Sequence, residues 1–320
     1  MSPNPPKSTG RLRRLDPQKD LESVAKLIEQ SFSLQNDPDG QAILRQMRST
    51  AQKQRKVLIR LPMSSPDGFV WEDEGKIVGN LSLIRYNEGL RRILLIANVA
   101  VEPSYRNLGI ASALTRHALR FAATTLTSEI WLQVRSDNAS AIHLYEGLGF
   151  RFHSHLNQWL LPARTRSGAL EPPPGYQRSL SNRRLADWLL QKTWLEQAYP
   201  IQTRWYLNLD FPALSPWAWL NPAYWETLLQ LRHYCLRSPS ALEGVLILQS
   251  TTGKADRLWL ACPSGHLEDE IAQSLVKSFL TTKWSGKQLT MEFPRERAEL
   301  GLKLAGFQFV RSLDWMQFQG

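Results

Sequence analysis

The residues best placed to do chemistry, by type and spacing, are Arg106, Gly109 and Ala111 in the run Arg106-Asn107-Leu108-Gly109-Ile110-Ala111. A guanidinium beside small residues at the entrance to a helix is a means of holding an anion. The first N–H groups of a helix lack intrahelical partners, and the helix dipole places partial positive charge there. Gly109 and Ala111 keep bulky side chains out of the approach. Six residues of the form Arg-x-x-Gly-x-Ala are a short pattern, and it is their setting that gives them meaning.

Behind the loop lies Ile93 to Val101, nine mostly apolar residues. That is too short to span a membrane and the right length for a strand buried on both faces. Glu102-Pro103-Ser104-Tyr105 breaks the strand. After the loop, Ile110, Ala113, Leu114, Ala118, Leu119 and Ala122 recur at helical spacing. Ile130–Val134 reads as another strand. Ser136-Asp137-Asn138 then caps a short helix through Leu144 and Tyr145, closed by Gly147 and Gly149. Phe150–His153 and Gln158–Leu161 are expected to pair as two last strands.

Upstream, Arg11–Leu15 reads as a first strand, and Asp16-Pro17 as the cap and first turn of a helix. That helix buries Leu21, Val24, Ala25, Leu27, Ile28 and Phe32. Asp37-Pro38 opens a second helix with Ile43, Leu44 and Met47 inward. Phe69–Glu72 and Lys76–Tyr86 follow as strands, with a turn at Asn87-Glu88-Gly89. The fold class is α/β of the α+β kind, a mixed central sheet flanked by helices.

The chain has 320 residues, enough for two domains that each bury a core. Residues 1–10, rich in Pro, Ser and Lys, read as disordered; 11–162 as the first domain; 163–178 as a Pro-rich linker; and 179–320 as a second domain. Nine of the twelve tryptophans lie after residue 180, six of them from Trp188 to Trp225. They are expected to pack a helical segment; an aromatic-lined pocket or partner groove is the sharper alternative.

The ending of the second domain repeats that of the first. Gly301-Leu-Lys-Leu-Ala-Gly-Phe-Gln-Phe309 follows Leu144-Tyr-Glu-Gly-Leu-Gly-Phe-Arg-Phe152 by 157 positions, from 306 − 149. Leu258–Pro263, Ile271, Leu275, Leu280 and Leu289–Phe293 echo the strand, helix and strand upstream, which indicates a duplication. The chemistry is not repeated. Ser264-Gly-His-Leu-Glu-Asp-Glu270 replaces the Arg/Gly loop, Arg295 replaces Asn138, and Leu302 replaces Tyr145. Three successive carboxylates repel an anion, so the second copy reads as non-catalytic.

Lys and Arg number 39 against 29 Asp and Glu, a net charge of +10. The excess is spread over both halves, +6 (21 − 15) in residues 1–160 and +4 (18 − 14) in 161–320. That argues against a nucleic-acid partner and for solubility and the steering of an anionic ligand. No apolar run reaches spanning length, so no membrane partner is expected. With no signal peptide in view, Cys235 and Cys262 read as reduced buried thiols of a cytoplasmic protein. His117, His153 and His155 have no metal-like grouping, so no metal is expected, and His143 is expected at the surface.

Residues 11–162 resemble the GCN5-related N-acetyltransferases (GNAT). The resemblance rests on two motifs: Val99-Ala-Val-Glu-Pro-Ser-Tyr-Arg106-Asn-Leu-Gly109-Ile-Ala111, ending in Leu114, and Asn138-Ala-Ser-Ala141-Ile-His-Leu-Tyr145-Glu-Gly-Leu-Gly149-Phe150. The whole resembles a tandem form with one degenerate copy. The resemblance implies acetyl-CoA, or a related acyl-CoA, as co-substrate, and as acceptor an amine of a small molecule or of a protein or peptide. It implies that the backbone of Val99, Ala100 and Val101 lies along the pantetheine arm. Arg106, Asn107, Leu108, Gly109, Ile110 and Ala111 would hold the pyrophosphate, and Asn138 would touch the pantetheine. Tyr145 would protonate the departing thiolate; a phenol near pKa ~10 and a thiol near ~8.5 suit that hand-off.

Several relatives carry a Glu in the strand before the pyrophosphate loop. Here Ile93–Val101 has no carboxylate, and Glu102 lies at its mouth. Deprotonating a lysine amine at pH 7 costs about 4.6 kcal/mol, whereas an α-amine costs about 1.1 kcal/mol. A site without an internal base therefore suits a low-pKa amine or proton loss through water. The missing base also leaves a second reading, an acyl-CoA-binding regulatory module without transferase activity.

Overall fold

The alternating and helical patterns resolve into two units in the computed structural model, which describes residues 10–32, 38–56, 67–163, 179–207, 209–239, 241–282 and 284–320. The expected disordered stretch 1–10, apart from Gly10, the cap at Asp37 and nearly all of the 163–178 linker lie outside the described residues. The first unit comprises the chain up to Ser154 together with Asp314–Gly320; the second is His155–Leu313.

In chain order the first unit contains β1 (Arg11–Arg14), α1 (Leu21–Ser31), α2 (Pro38–Lys56), β2 (Asp67–Asp73), β3 (Lys76–Glu88) and β4 (Arg91–Val101). It continues with α3 (Ile110–Ala123), β5 (Glu129–Arg135), α4 (Ala139–Glu146) and the first part of β6 (Phe150–Leu161). The second unit takes the rest of β6, then β7 (Ser179–Ser181), α5 (Trp188–Ala198), α6 (Trp225–Gln230), β8 (Leu231–Arg237), β9 (Leu242–Gln249) and β10 (Ala255–Ala261). It closes with α7 (Glu268–Leu280), β11 (Gln288–Pro294), α8 (Glu299–Leu304) and most of β12 (Gln308–Phe318).

Strand order in the first unit is β1-β2-β3-β4-β5-β12-β6, and in the second β7-β8-β9-β10-β11-β6-β12. Each is a mixed sheet. Most pairs are antiparallel, but β4 and β5 are parallel, as are β10 and β11, because a helix crosses over between them. One face of the first sheet packs on α3 through Leu81, Leu83, Leu94, Ile96, Ile110 and Leu114. The other face meets α1 and α2, where Val70 packs with Val24, Ala25, Ile28, Leu44 and Met47.

Four expectations are corrected. Phe150–His153 and Gln158–Leu161 form one strand rather than a hairpin, because Ser154–Asn157 has no Gly or Pro to turn the chain. The latter half of β6 pairs with β11, so the boundary falls at Ser154–His155, inside a strand, and not at the linker. Asp16 caps a turn, accepting from the N–H of Gln18 at 2.9 Å, and α1 starts only at Leu21. Ile43 is exposed while Leu44 and Met47 are buried.

The Trp-rich segment lies in the second unit as short helical turns. Trp194 and Trp205 are buried there, whereas Trp217, Trp219 and Trp225 are each more than half exposed. Packing thus accounts for only part of that aromatic content. Cys235 and Cys262 are free and buried. No described helix is long and apolar enough to cross a membrane.

Candidate active site

A bulge in β4 shapes the site. Asn80 of β3 pairs with Ala100, and Ser82 with Ala97, so Asn98 and Val99 together oppose the single residue Leu81. Asn98 takes up the extra length with a left-handed backbone, φ +51°, which Asn tolerates better than a branched residue. Its side-chain N–H₂ donates to Ser82 Oγ at 3.3 Å, and Asn80 Nδ2 donates to the Asn98 carbonyl at 2.9 Å. The parallel register of β4 with β5 runs from Ile93 opposite Glu129 to Ile96 opposite Leu132. Val99, Ala100 and Val101 lie beyond the last paired residue. Ala100 is buried, and Val99 and Val101 are partly buried against the α3 side of the core.

After a short turn at Pro103–Tyr105, two residues take left-handed conformations, Asn107 at φ +64° and Gly109 at φ +79°. Gly109 is the N-cap of α3, and a Cβ built there meets nothing within 4 Å. Packing does not demand this glycine; the positive φ does, and it leaves the approach open. The first turn of α3 has no acidic residue, and no side chain caps it. Arg106, just before it, is exposed and donates through Nε to the Val101 carbonyl at 3.4 Å. Leu108 is partly buried, Ile110 is buried in the core, and Ala111 accepts from Thr115 Oγ1 at 2.8 Å. The sequence-predicted loop residues are therefore together at one helix N-terminus, in a form that can bind an anion.

Tyr145 projects from α4 into the core shared with Val134, Phe150 and Met316, edge-on to the Phe150 ring at 5.9 Å. It is 7% exposed, and its hydroxyl has no hydrogen-bond partner among the described residues. Burial alone pushes the phenol well above the ordinary tyrosine range. Asn138 is the N-cap of α4, accepting from the N–H of Ala141 at 3.2 Å, so its carbonyl oxygen is committed to the helix while its N–H₂ has no hydrogen-bond partner among the described residues. Glu102, at the mouth of β4, is bound to Lys76 at 2.8 Å. His143 is exposed, as expected.

The equivalent place in the second unit is closed. Helix α7 carries Glu268, Asp269 and Glu270 in its first turn. Glu268 is buried against Arg297 at 2.6 Å, and Asp269 accepts from the Gly301 N–H at 2.7 Å. A Cβ on Gly301 would come within 2.0 Å of the Asp269 carbonyl, so α8 sits hard on the helix start. Leu302, in place of the tyrosine, is fully buried. The protein's own carboxylates and α8 thus occupy the start of α7.

Sequence reasoning missed Asn80, Ser82 and Asn98. The available signal was an Asn inside an otherwise apolar strand, a residue that favours positive φ and marks bulges. Among the described residues, no group of three His, Cys, Asp or Glu side chains could hold a metal ion.

Residues 31–150 match the family model described as Acetyltransferase (GNAT) family. Streptothricin acetyltransferase of Streptomyces lavendulae is 37% identical over 79 residues, 25% of this chain and 41% of that protein. The [ribosomal protein bS18]-alanine N-acetyltransferase of Escherichia coli K12 is 43% identical over 53 residues, 17% of this chain and 36% of that protein. The chain thus spans less than half the length of these curated relatives. The fold is like that of a GCN5-related N-acetyltransferase from Sphaerobacter thermophilus, with TM-score 0.58 and 13% identity over 96% of this chain and 95% of that one.

Proposed function

We propose, from the match of residues 31–150 to the acetyltransferase (GNAT) family model, that the protein transfers an acetyl or related acyl group from acetyl-CoA to a primary amine. What supports this most is the contrast between two helix starts of the same fold. That of α3 is left open by Gly109 and free of acid, while that of α7 is filled by its own carboxylates.

The N–H groups of the Asn107–Ala111 stretch hold the pyrophosphate, and Arg106 adds a charged hydrogen bond. The backbone of Val99–Val101, past the end of the β4–β5 pairing, binds the pantetheine arm as an added strand would. The side-chain N–H₂ of Asn138, at the N-cap of α4, contacts that arm. The thioester supplies the activated acyl carbon, which the amine attacks while both substrates are bound. The Tyr145 hydroxyl is the acid for the leaving thiolate. Burial raises the phenol, but the same apolar surroundings raise a thiol, so the two stay matched.

The described strand offers no carboxylate base, and Glu102 is engaged by Lys76. An amine that loses its proton at little cost, or through water, is therefore the best-matched acceptor. The second unit is a degenerate duplicate that binds no CoA at α7.

The test is release of free CoA thiol from acetyl-CoA with polyamines, amino acids, aminoglycosides and peptides as acceptors. Transfer to at least one class is expected. Saturable acetyl-CoA binding with no transfer to any of them would instead favour an acyl-CoA-sensing module.

A further inference from the structure

In the second unit, the chain from Phe211 to Gln230 carries one charged side chain, Glu226. Short turns at Phe211–Leu214, Ala218–Leu220 and Pro222–Tyr224 pack with α6 into a small knob. Ala213, Leu214 and Ala218 are buried on its inner side. On its outer side Trp217, Trp219, Leu220 and Trp225 are 54–62% exposed, and Leu229 is 87% exposed. These side chains form one patch. Trp225 donates through Nε1 to the Trp219 carbonyl at 2.9 Å, and Leu229 lies one helical turn on from Trp225 along the same face of α6.

Three features say what covers the patch. The first is its size. At roughly 200 Å² for a whole tryptophan, the five side chains expose on the order of 600 Å². That matches the largest apolar patches of single proteins and falls short of the ~800 Å² per partner of a stable dimer.

The second is how completely the backbone donors are used. The N–H groups of Ser215, Ala218, Leu220, Asn221, Tyr224 and Trp225 donate to carbonyls of the same segment. Those of Trp217 and Ala223 donate to the side-chain oxygens of Ser215 and Asn221. Pro212, Pro216 and Pro222 have no N–H to satisfy. A protein partner brings hydrogen-bond acceptors with it, so it does not require this; lipid brings none to an inserted loop, and does.

The third is charge. Arg183 donates to the Leu214 carbonyl, Arg204 lies over the Phe211 ring with Cζ 4.2 Å from its centroid, and the exposed Arg232 follows directly on α6. Against these three cations stand Asp210 and Glu226, so the rim is net positive, as is the chain at +10.

We propose that this knob docks on a lipid bilayer carrying anionic headgroups. The three indoles and two leucines enter the boundary between headgroups and acyl chains, and the rim arginines meet the phosphates. The expectation of no membrane partner rested on the length needed to span. No described helix crosses a membrane, but lying on one needs only a short apolar face. The proposal is independent of the transferase reading.

The test is sedimentation of the full chain with phosphatidylcholine vesicles, with and without phosphatidylglycerol. Wild type is compared with Trp217→Ser/Trp219→Ser, and melting temperature reports folding. Wild type should bind, more tightly where phosphatidylglycerol is present. The double variant should bind at least about 10-fold more weakly at an unchanged melting temperature, because apolar insertion scales with area. Lipids brominated in the acyl chains should quench wild-type tryptophan fluorescence, a measurement that needs no variant. Wild type that stays in the supernatant, equal binding by the double variant, or binding without quenching would overturn the proposal. So would a concentration-dependent dimer, or a protein complex, that the double variant abolishes while wild type ignores vesicles.

Discussion

Replacing Tyr145 by Phe removes one oxygen and keeps the ring that packs edge-on to Phe150. The hydroxyl has no hydrogen-bond partner among the described residues, so its removal orphans no other group. The substitution should therefore change stability by no more than about 1 kcal/mol, a shift of a few degrees at most in a protein of this size. Catalysis should respond very differently. Positioned proton transfer contributes roughly 10²- to 10⁴-fold, which corresponds to about 3–5 kcal/mol of barrier. Steady-state kinetics of thiol release should show kcat down at least 100-fold, with the acetyl-CoA dissociation constant within about twofold of wild type. A variant that keeps half of the wild-type kcat would refute Tyr145 as the acid. A melting temperature several degrees lower would show that the hydroxyl has a structural role after all.

Arg106→Ala should weaken acetyl-CoA binding by about 1.5–3 kcal/mol, the range for a charged hydrogen bond, and flatten its salt dependence; titration calorimetry at two ionic strengths measures both. Asn98→Ala should destabilise the first unit by about 1–2 kcal/mol, because a Cβ-bearing residue without the Ser82 bond must hold φ +51°, whereas Asn98→Gly should recover part of the loss in denaturant melts. In the second unit, burial and the neighbouring Arg183 push the His233 imidazole down to about 3. Its folded-state pKa lies below the unfolded value of about 6.5, so stability is full above pH ~6.5 and falls as pH drops from there toward 3, by at most about 4–5 kcal/mol. His233→Gln should flatten that acid limb in pH-dependent unfolding, and an unchanged limb would count against it.

Much of the site was legible because its parts are local. The order strand, loop, helix put Arg106, Gly109 and Ala111 at one helix start, and all three lie at the start of α3. Asn138 was legible as a cap, and it caps α4. The hairpin expected from Phe150 to Leu161 failed because an unbroken run of strand-forming residues does not say where its partners are. Those partners lie far away in sequence, with β6 pairing to β11. Ile43 was misplaced for a related reason, since a helix with several apolar residues leaves its buried arc to be decided by what packs on it.

By itself the sequence picked out Arg106–Ala111 as a loop at a helix start, expected to hold an anion, and the carboxylates Glu268, Asp269 and Glu270 at a second helix start. These are properties of residue type at short spacing, where backbone geometry and charge act directly. Only the tertiary structure decided that Gly109 is demanded by a positive φ and an open approach rather than by packing. Only it decided that the Tyr145 hydroxyl has no hydrogen-bond partner among the described residues, and that Asn80 and Gln133, 53 positions apart by 133 − 80, stand on the same sheet face. Which polar atoms are left unsatisfied depends on every element that packs around them, and no local pattern carries that information.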